Sequence, residues 1–474
     1  MENEIRKDNV SLLRRDLGTL EAYAALIGIL IGAGIFQVTG DAWRITGPSV
    51  ILGYVLLTPA ILATAIPYSA YLSTPLGREP GGEYLNISRT VHGYRLAYVG
   101  SWLKIISYIG AGSYLANSFA RHVITLSDGR IDQKFRVPLA LAALLVFYLI
   151  HVVGIRWFGR MQVAMSALKC LALLVLIVPG LFMIDTANYT PFFTGGGTGF
   201  GSSLLPLFFA FAGFESIAQA AGEVKDSTRR LPNILPKGLT ITALIYVFAS
   251  IVSFGVLSGA QLQGTNVTLA EVAKNYLPAG AAVFVTIGAI AAIMTALNGT
   301  MLVPSRLAIM FVEDALAPRW LGVINPATAT PIRGLTLTLI CCAVLLISGQ
   351  LSLALNVAVF ALVVLYFIHS LVFLFLPRLN PTLASEIEIN LPHRLQQVAA
   401  VVSLLAMGLL IFMQLGLDVE VLRTQTLGQR ISGKSLTSIE LIFVWGLVGL
   451  GLYQLARSQR RKRSVAEEVD AHGD

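Results

Sequence analysis

The run IGAGIF, residues 31–36, decides how this chain is to be read. It lies inside LEAYAALIGILIGAGIFQVTGDAW (20–43), an apolar segment long enough to be a membrane helix. Two glycines and an alanine fall near its centre, at a depth where lipid offers an unwound backbone nothing to hydrogen-bond. A chain that crosses a membrane is broken there only if the break is buried in protein or lines a cavity.

Composition supports the membrane reading. Apolar residues make up 55% of the 474 and charged residues 13%, against about a quarter charged in a soluble domain; mean hydropathy is +0.73. The opening MENEIRKDNVSLLRRDLG (1–18) is polar and mixed in charge, unlike a cleavable signal, so the first span is expected to be retained. Cys170, Cys341 and Cys342 lie inside apolar runs without metal-ligand or CxxC spacing, so neither a metal nor a disulfide framework is indicated. The net charge of +8 does not indicate nucleic acid. Its densest cluster, ARSQRRKRS (456–464), directly follows a span, where basic residues set orientation and meet anionic lipid.

Apolar runs of spanning length occur at 19–44, 48–74, 96–124, 137–153, 161–184, 200–222, 238–258, 279–305, 334–348, 353–376, 395–415 and 438–456, which predicts twelve spans. With both termini in the cytoplasm, 23 Lys and Arg lie in the inside segments and nine outside, the asymmetry expected of that orientation. SDGRIDQKFR (127–136) runs against it, placing three basic residues outside.

A second break, FFAFAGFES (208–216), falls in the sixth run, five spans after the first. Because five is odd, the second broken span enters from the opposite face, as two inverted five-span repeats require. Paired broken helices at matching positions point to a transporter's binding site. The half-helix after a break presents free N–H groups and a positive dipole end to a carboxylate, and the half-helix before it offers carbonyls to an ammonium. The competing explanation for the first break is close helix packing through Gly28-xxx-Gly32; the second break favours a site.

Four stretches, in order, carry a resemblance: GILIGAGIF (28–36), PGGEYLNISRTVHGY (80–94), FFAFAGFESIAQAAGEVKDSTRRLP (208–232) and SRLAIMFVEDALAPRWLGVINPATATP (305–331). On these the chain resembles the amino acid permeases of the amino acid–polyamine–organocation superfamily over nearly its whole length. The resemblance implies an all-α integral membrane protein of 12 transmembrane helices, a 5+5 inverted repeat with discontinuous first and sixth spans plus two additional spans. The expected divisions are a cytoplasmic segment 1–18, repeats at 19–185 and 199–376, additional spans at 395–456 and a cytoplasmic basic tail 457–474. It further implies that Gly32, Ala33 and Gly34 offer amides to a substrate carboxylate and that carbonyls near Phe209 and Ala212 take its amino group. Phe209 would close the site from outside, with Phe211 as the alternative, and Gly213 completes the substrate-binding set. Gly28 and Glu215 are read as organising residues, Glu215 as a carboxyl capping the amides after the second break.

Lys169, in SALKCLAL within the fifth span, is costly in lipid at about 2.5–3.5 kcal/mol. By resemblance it stands where sodium-coupled relatives bind their ion. An ammonium there would bond the carbonyls around Gly28–Ile31, and loss of its proton in one conformation would couple transport to protons; a permanently charged tether would instead suit uniport or exchange. Lys104 is expected to snorkel toward the cytoplasmic interface, His369 to be a hydrogen-bonded core histidine, and Tyr366 is a gating candidate. Glu223, Lys225 and Arg306 are candidates for a cytoplasmic gate. GEVKDSTRRLP (222–232) departs from the family's EEVKNPxRxxP, and EDALAP (313–318) from EDGxxP.

Apart from Glu215, no acidic residue is evident in sequence near either break, which favours neutral amino acids. The expected function is therefore amino acid transport across the plasma membrane with the proton as coupling ion, lipid contacts, no cofactor and no nucleic acid. The alternatives are a sodium-independent exchanger and, in another class, a membrane amino acid sensor. An enzyme is not expected: HExxH and GxSxG are both missing.

Overall fold

The computed structural model describes residues 13–127, 129–259, 261, 269–349, 351–432 and 436–471. The first twelve residues of the expected N-terminal segment and the last three of the basic tail lie outside them. Within the described residues the chain is a bundle of helices: α1 (Thr19–Leu30), α2 (Thr39–Thr46), α3 (Val50–Ser73), α4 (Glu83–Thr90), α5 (Tyr94–Leu126), α6 (Arg136–Val153), α7 (Ile155–Gly180), α8 (Gly196–Phe209), α9 (Ser216–Gln219), α10 (Ser227–Val256), α11 (Leu269–Tyr276), α12 (Ala279–Glu313), α13 (Ile332–Ser348), α14 (Leu351–Leu379), α15 (His393–Thr424) and α16 (Ser438–Ala471). Helices are the form that satisfies every backbone polar group within one segment, as a lipid environment demands.

Nine helical segments among the described residues are long and apolar enough to cross a membrane, against the twelve expected from the sequence. The three runs that fall short do so for physical reasons. Helix α5 has the length, but its buried faces carry Lys104, Ser107, Ser113, Asn117 and Ser118; it is central rather than lipid-facing, packed against α12 and α14. Helix α13 has only 17 residues. The sixth run is interrupted: α8 has 14 residues, and after the break α9 has four, so the second half-helix is a single turn.

Burial grades outward from the broken first span. In the window Thr19–Phe36, 72% of residues are buried inside the protein, whereas in Ser438–Ala456 of α16 only 6% are. Helix α16 is thus a peripheral element, leaving Phe443, Val444 and Leu447 exposed for lipid to cover.

Candidate substrate site at two broken helices

The first span stops being helical at Ile31 and Gly32 and resumes through a π-helical turn, Gly34–Val38, into α2. The second break occupies residues 210–215, where Gly213 takes φ +102°, a backbone conformation that side chains with a Cβ avoid. The two breaks touch: a Cβ on Gly34 would lie 2.6 Å from the Cα of Ala210, and one on Gly32 would lie 2.6 Å from the Cβ of Ala296 on α12. The absence of side chains at 32 and 34 is what lets three backbones converge.

Between them is a cavity of about 30 Å³ lined by Gly32, Ala33, Gly34, Phe209, Ala212 and Gly213, with Ser107, Tyr108 and Ala111 from α5 and Ala296 and Thr300 from α12. That is room for about one or two waters and too little for an amino acid, so the site is closed down in this structure. Phe211 does not line it. Its ring is buried at 1% exposure and packs on Tyr54 and Tyr246 instead. The Gly32 amide donates to the carbonyl of Leu30 at 2.9 Å, which leaves Ala33 and Gly34 at the start of the resumed helix, where first-turn amides lack intrahelical partners.

Lys169, on α7, reaches the first break. Its three N–H donors face four acceptors within 3.0 Å: the carbonyls of Ile27 (3.0 Å), Gly28 (3.0 Å) and Ile31 (2.8 Å) and Oγ1 of Thr295 (2.9 Å). Lys169 therefore holds the carbonyls at the end of α1, that of Ile27 while it still accepts the Ile31 amide, and Thr295 ties in α12. Gly28 faces Gln162, whose Nε2 would lie 2.7 Å from an added Cβ. Sequence reading passed over Tyr246 on α10, whose hydroxyl sits between the carbonyl of Leu30 and that of Ala210 (2.7 Å) and so bridges both breaks. A tyrosine in an apolar run gives no periodic signal that would have singled it out.

Glu215 does not cap the turn after the second break; no side-chain cap is formed there. Its carboxylate accepts from the hydroxyls of Tyr108 (2.6 Å) and Tyr366, and the Tyr366 oxygen accepts weakly from the amide of Gly213 at 3.5 Å. Lys104 is not at the interface either. It is 1% exposed and its Nζ lies 2.7 and 2.9 Å from the two oxygens of Glu83 and 3.8 Å from Glu215. Glu83 also accepts from Tyr68 (2.8 Å) and Gln219 (3.1 Å). An acidic residue besides Glu215 thus stands near the site, and it is matched by a buried lysine. His369 is buried, stacked on Tyr68 at 4.0 Å and hydrogen-bonded through Nε2 to Asn86 at 3.0 Å.

Farther along, Arg306 and Glu223 form an ion pair at 2.8 Å, each side chain 1% exposed. Beside it the backbones of Leu17 and Val224 pair, with Leu17 N–H on Glu223 O (3.0 Å) and Lys225 N–H on Leu17 O (2.9 Å). Lys225 contributes this amide, while its side chain is exposed and takes no part in the ion pair. On the opposite side, Phe209 lines both the small cavity and a larger one of about 550 Å³ that includes Asp41, Tyr114, Asn356 and Asp418. Its ring, edge-on to Tyr114 at 6.0 Å, is the partition between them. No group of three or more His, Cys, Asp and Glu residues that could hold a metal occurs among the described residues.

Comparison with known proteins agrees with this geometry. A family model described as amino acid permease matches residues 17–426. The chain is 26% identical to a branched-chain amino acid permease of Bacillus subtilis, the match covering 67% of this chain and 71% of the relative. It is 28% identical to chloroplastic cationic amino acid transporter 9 of Arabidopsis thaliana, covering 69% and 60%, and 26% identical to a serine/threonine exchanger of Bacillus subtilis, covering 67% and 73%.

Proposed function

We proceed from the family to which the chain belongs, the amino acid permeases, and propose that it is a proton-coupled secondary transporter of neutral amino acids working by alternating access. In this reading the chain crosses the plasma membrane twelve times, as a 5+5 inverted repeat with two additional spans and both termini in the cytoplasm. The observation that carries it is the cavity between two touching helix breaks, with Phe209 and a large vestibule on one side and the Glu223–Arg306 pair on the other.

The substrate carboxylate would meet the amides of Ala33 and Gly34, and its ammonium the carbonyls of the second break. Its side chain would face Ser107, Ala111, Ala296 and Thr300, which are small and uncharged; Glu83 is paired with Lys104, and Glu215 is engaged by the hydroxyls of Tyr108 and Tyr366 instead of facing the cavity lining. That arrangement favours a neutral side chain. Inward release would require the Glu223–Arg306 pair and the Leu17–Val224 pairing to separate, while Phe209 keeps the vestibule shut. Lys169 would act as the coupling group, its ammonium holding the first break in one state and releasing it on losing a proton.

A second reading, sodium-independent exchange, is favoured by one feature: four acceptor oxygens gathered around the three N–H donors of Lys169 suit a permanently charged tether. Uptake of a labelled amino acid mixture into proteoliposomes, driven by an inward proton or sodium gradient, separates the two when wild type and Lys169→Ala are compared. Proton-driven accumulation that the substitution abolishes is expected. Uptake indifferent to both gradients but dependent on internal amino acid would overturn coupling through Lys169.

A further inference from the structure

We infer that the crevice between α5, α12, α13 and α16 is a binding site for an anionic phospholipid, its acyl chain in the crevice and its headgroup at the mouth. The crevice has a volume of about 360 Å³ and is walled by Trp102, Ile109, Ala308, Phe311, Cys341 and Trp445, among other mostly apolar groups. Helix α16 is held across it by a reciprocal pair: the indole of Trp102 donates to the carbonyl of Trp445 (2.7 Å) and that of Trp445 to the carbonyl of Trp102 (2.8 Å), the rings stacked at 4.4 Å. This clamp holds α16 off the bundle at a fixed distance instead of letting it close the gap.

The charge at the mouth selects the occupant. Pro318, Leu321 and Gly334 line the crevice; Arg319 and Arg333, their chain neighbours, are exposed. Arg333 donates to the carbonyl of Trp320 at 3.2 Å, which places its guanidinium against the same turn. Two cations over an apolar slot match a lipid with a negative headgroup. A second copy of this chain would bring the same positive charges against each other. Pro304, Ala308 and Phe311 lie on the stretch of α12 that also carries Arg306, so a bound chain braces the outer face of the helix whose inner face holds the ion pair with Glu223.

Trp102 and Trp445 are built-in reporters. With Trp43, Trp157 and Trp320 replaced by Phe, their fluorescence is measured in vesicles containing phosphatidylglycerol or phosphatidylcholine brominated along the acyl chain. Quenching is expected at a lower mole fraction of phosphatidylglycerol, on the order of fivefold lower per arginine. Arg319→Gln with Arg333→Gln should remove that preference and leave quenching by phosphatidylcholine unchanged. Ala308→Phe, which narrows the slot, should weaken quenching by both. Equal quenching by the two lipids in the parent overturns the headgroup assignment, a preference that survives the arginine substitutions does the same, and shielding of both tryptophans from either lipid means protein fills the crevice.

Discussion

Replacing Lys104 by Met tests the buried charge cluster most directly. In the wild type, two carboxylates, Glu83 and Glu215, face one ammonium, at 2.7 and 3.8 Å to their nearest oxygens, and all three side chains are 1% exposed or less. Lys104→Met leaves both carboxylates without a cation, and removing one partner of a buried pair costs about 3–5 kcal/mol. Glu83→Gln is milder: the amide retains an acceptor for Tyr68, and Lys104 retains Glu215, so the loss is about 1–3 kcal/mol, in the range of a hydrogen bond left unmade. The double variant Glu83→Gln/Lys104→Met restores the wild-type formal charge count, with Glu215 held by Tyr108 and Tyr366 as before. It should therefore be at least about 2 kcal/mol more stable than the sum of the single losses, a coupling within the range for residues in one network. Denaturant titration of the purified protein in mixed micelles gives the four stabilities, and uptake in proteoliposomes shows whether activity follows. Additive losses, agreeing within about 0.5 kcal/mol, would refute a coupled cluster; a negligible effect of Lys104→Met would mean the ammonium reaches water.

Gly34→Ala places a methyl 2.6 Å from the Cα of Ala210 and should force the breaks apart, weakening substrate binding by about tenfold or more at 1.4 kcal/mol per decade; scintillation-proximity binding at wild-type affinity would remove this contact from the site. Phe209→Ala should merge the two cavities and speed substrate loss toward the vestibule, seen as faster efflux of preloaded label. Replacing the ion pair by Glu223→Leu/Arg306→Met should raise stability by about 1–4 kcal/mol, as apolar replacement of buried pairs does, while uptake falls because the closed side is favoured; unchanged uptake would mean the pair does not gate.

What was legible in the sequence was whatever a single run discloses. Glycines inside an apolar helix mark IGAGIF and FAGFES, and a charge inside an apolar run marks Lys169, because each violates the local rule for lipid-embedded helices. What was missed depends on contacts between runs. Glu83 lies in a short helix between spans and Lys104 in α5, and nothing local shows that they meet; the usable signal was that an unpaired cation inside a span needs a partner. The assignment of Glu215 as a cap failed for the same reason, since its hydrogen-bond donors come from α5 and α14. Phe211 packs on Tyr54 and Tyr246 while Phe209 lines the cavity, a division that helical spacing already implies, since residues two apart do not share a face. The shortfall in spans, nine against twelve, follows from polarity in α5, breakage in the sixth run and the 17-residue length of α13; α5 and the sixth run are the elements that build the interior.

The choice of an ion pair where apolar contacts would hold more tightly fits a transporter that must leave its closed state. Inside the protein, Glu223 and Arg306 attract each other strongly, yet both forgo hydration, and these two effects nearly cancel. When that side opens, water replaces the lost partner for each ion, so opening does not strand a bare charge. An apolar seal has no such compensation, because separating it exposes hydrocarbon to water at roughly 25 cal/mol per Å². Two conformations that interconvert during turnover need to differ by only a few kcal/mol, and a latch of small net value keeps them close. The Lys104 cluster is built on the opposite logic: Glu83, Lys104 and Glu215 hold one another with tyrosine hydroxyls closing the remaining acceptor sites, so its separation would leave buried charges beside the cavity with no ready replacement. The proposed movement should accordingly concentrate at the Glu223–Arg306 level and at the Leu17–Val224 pairing, with the layer under Tyr108 carried through the cycle intact.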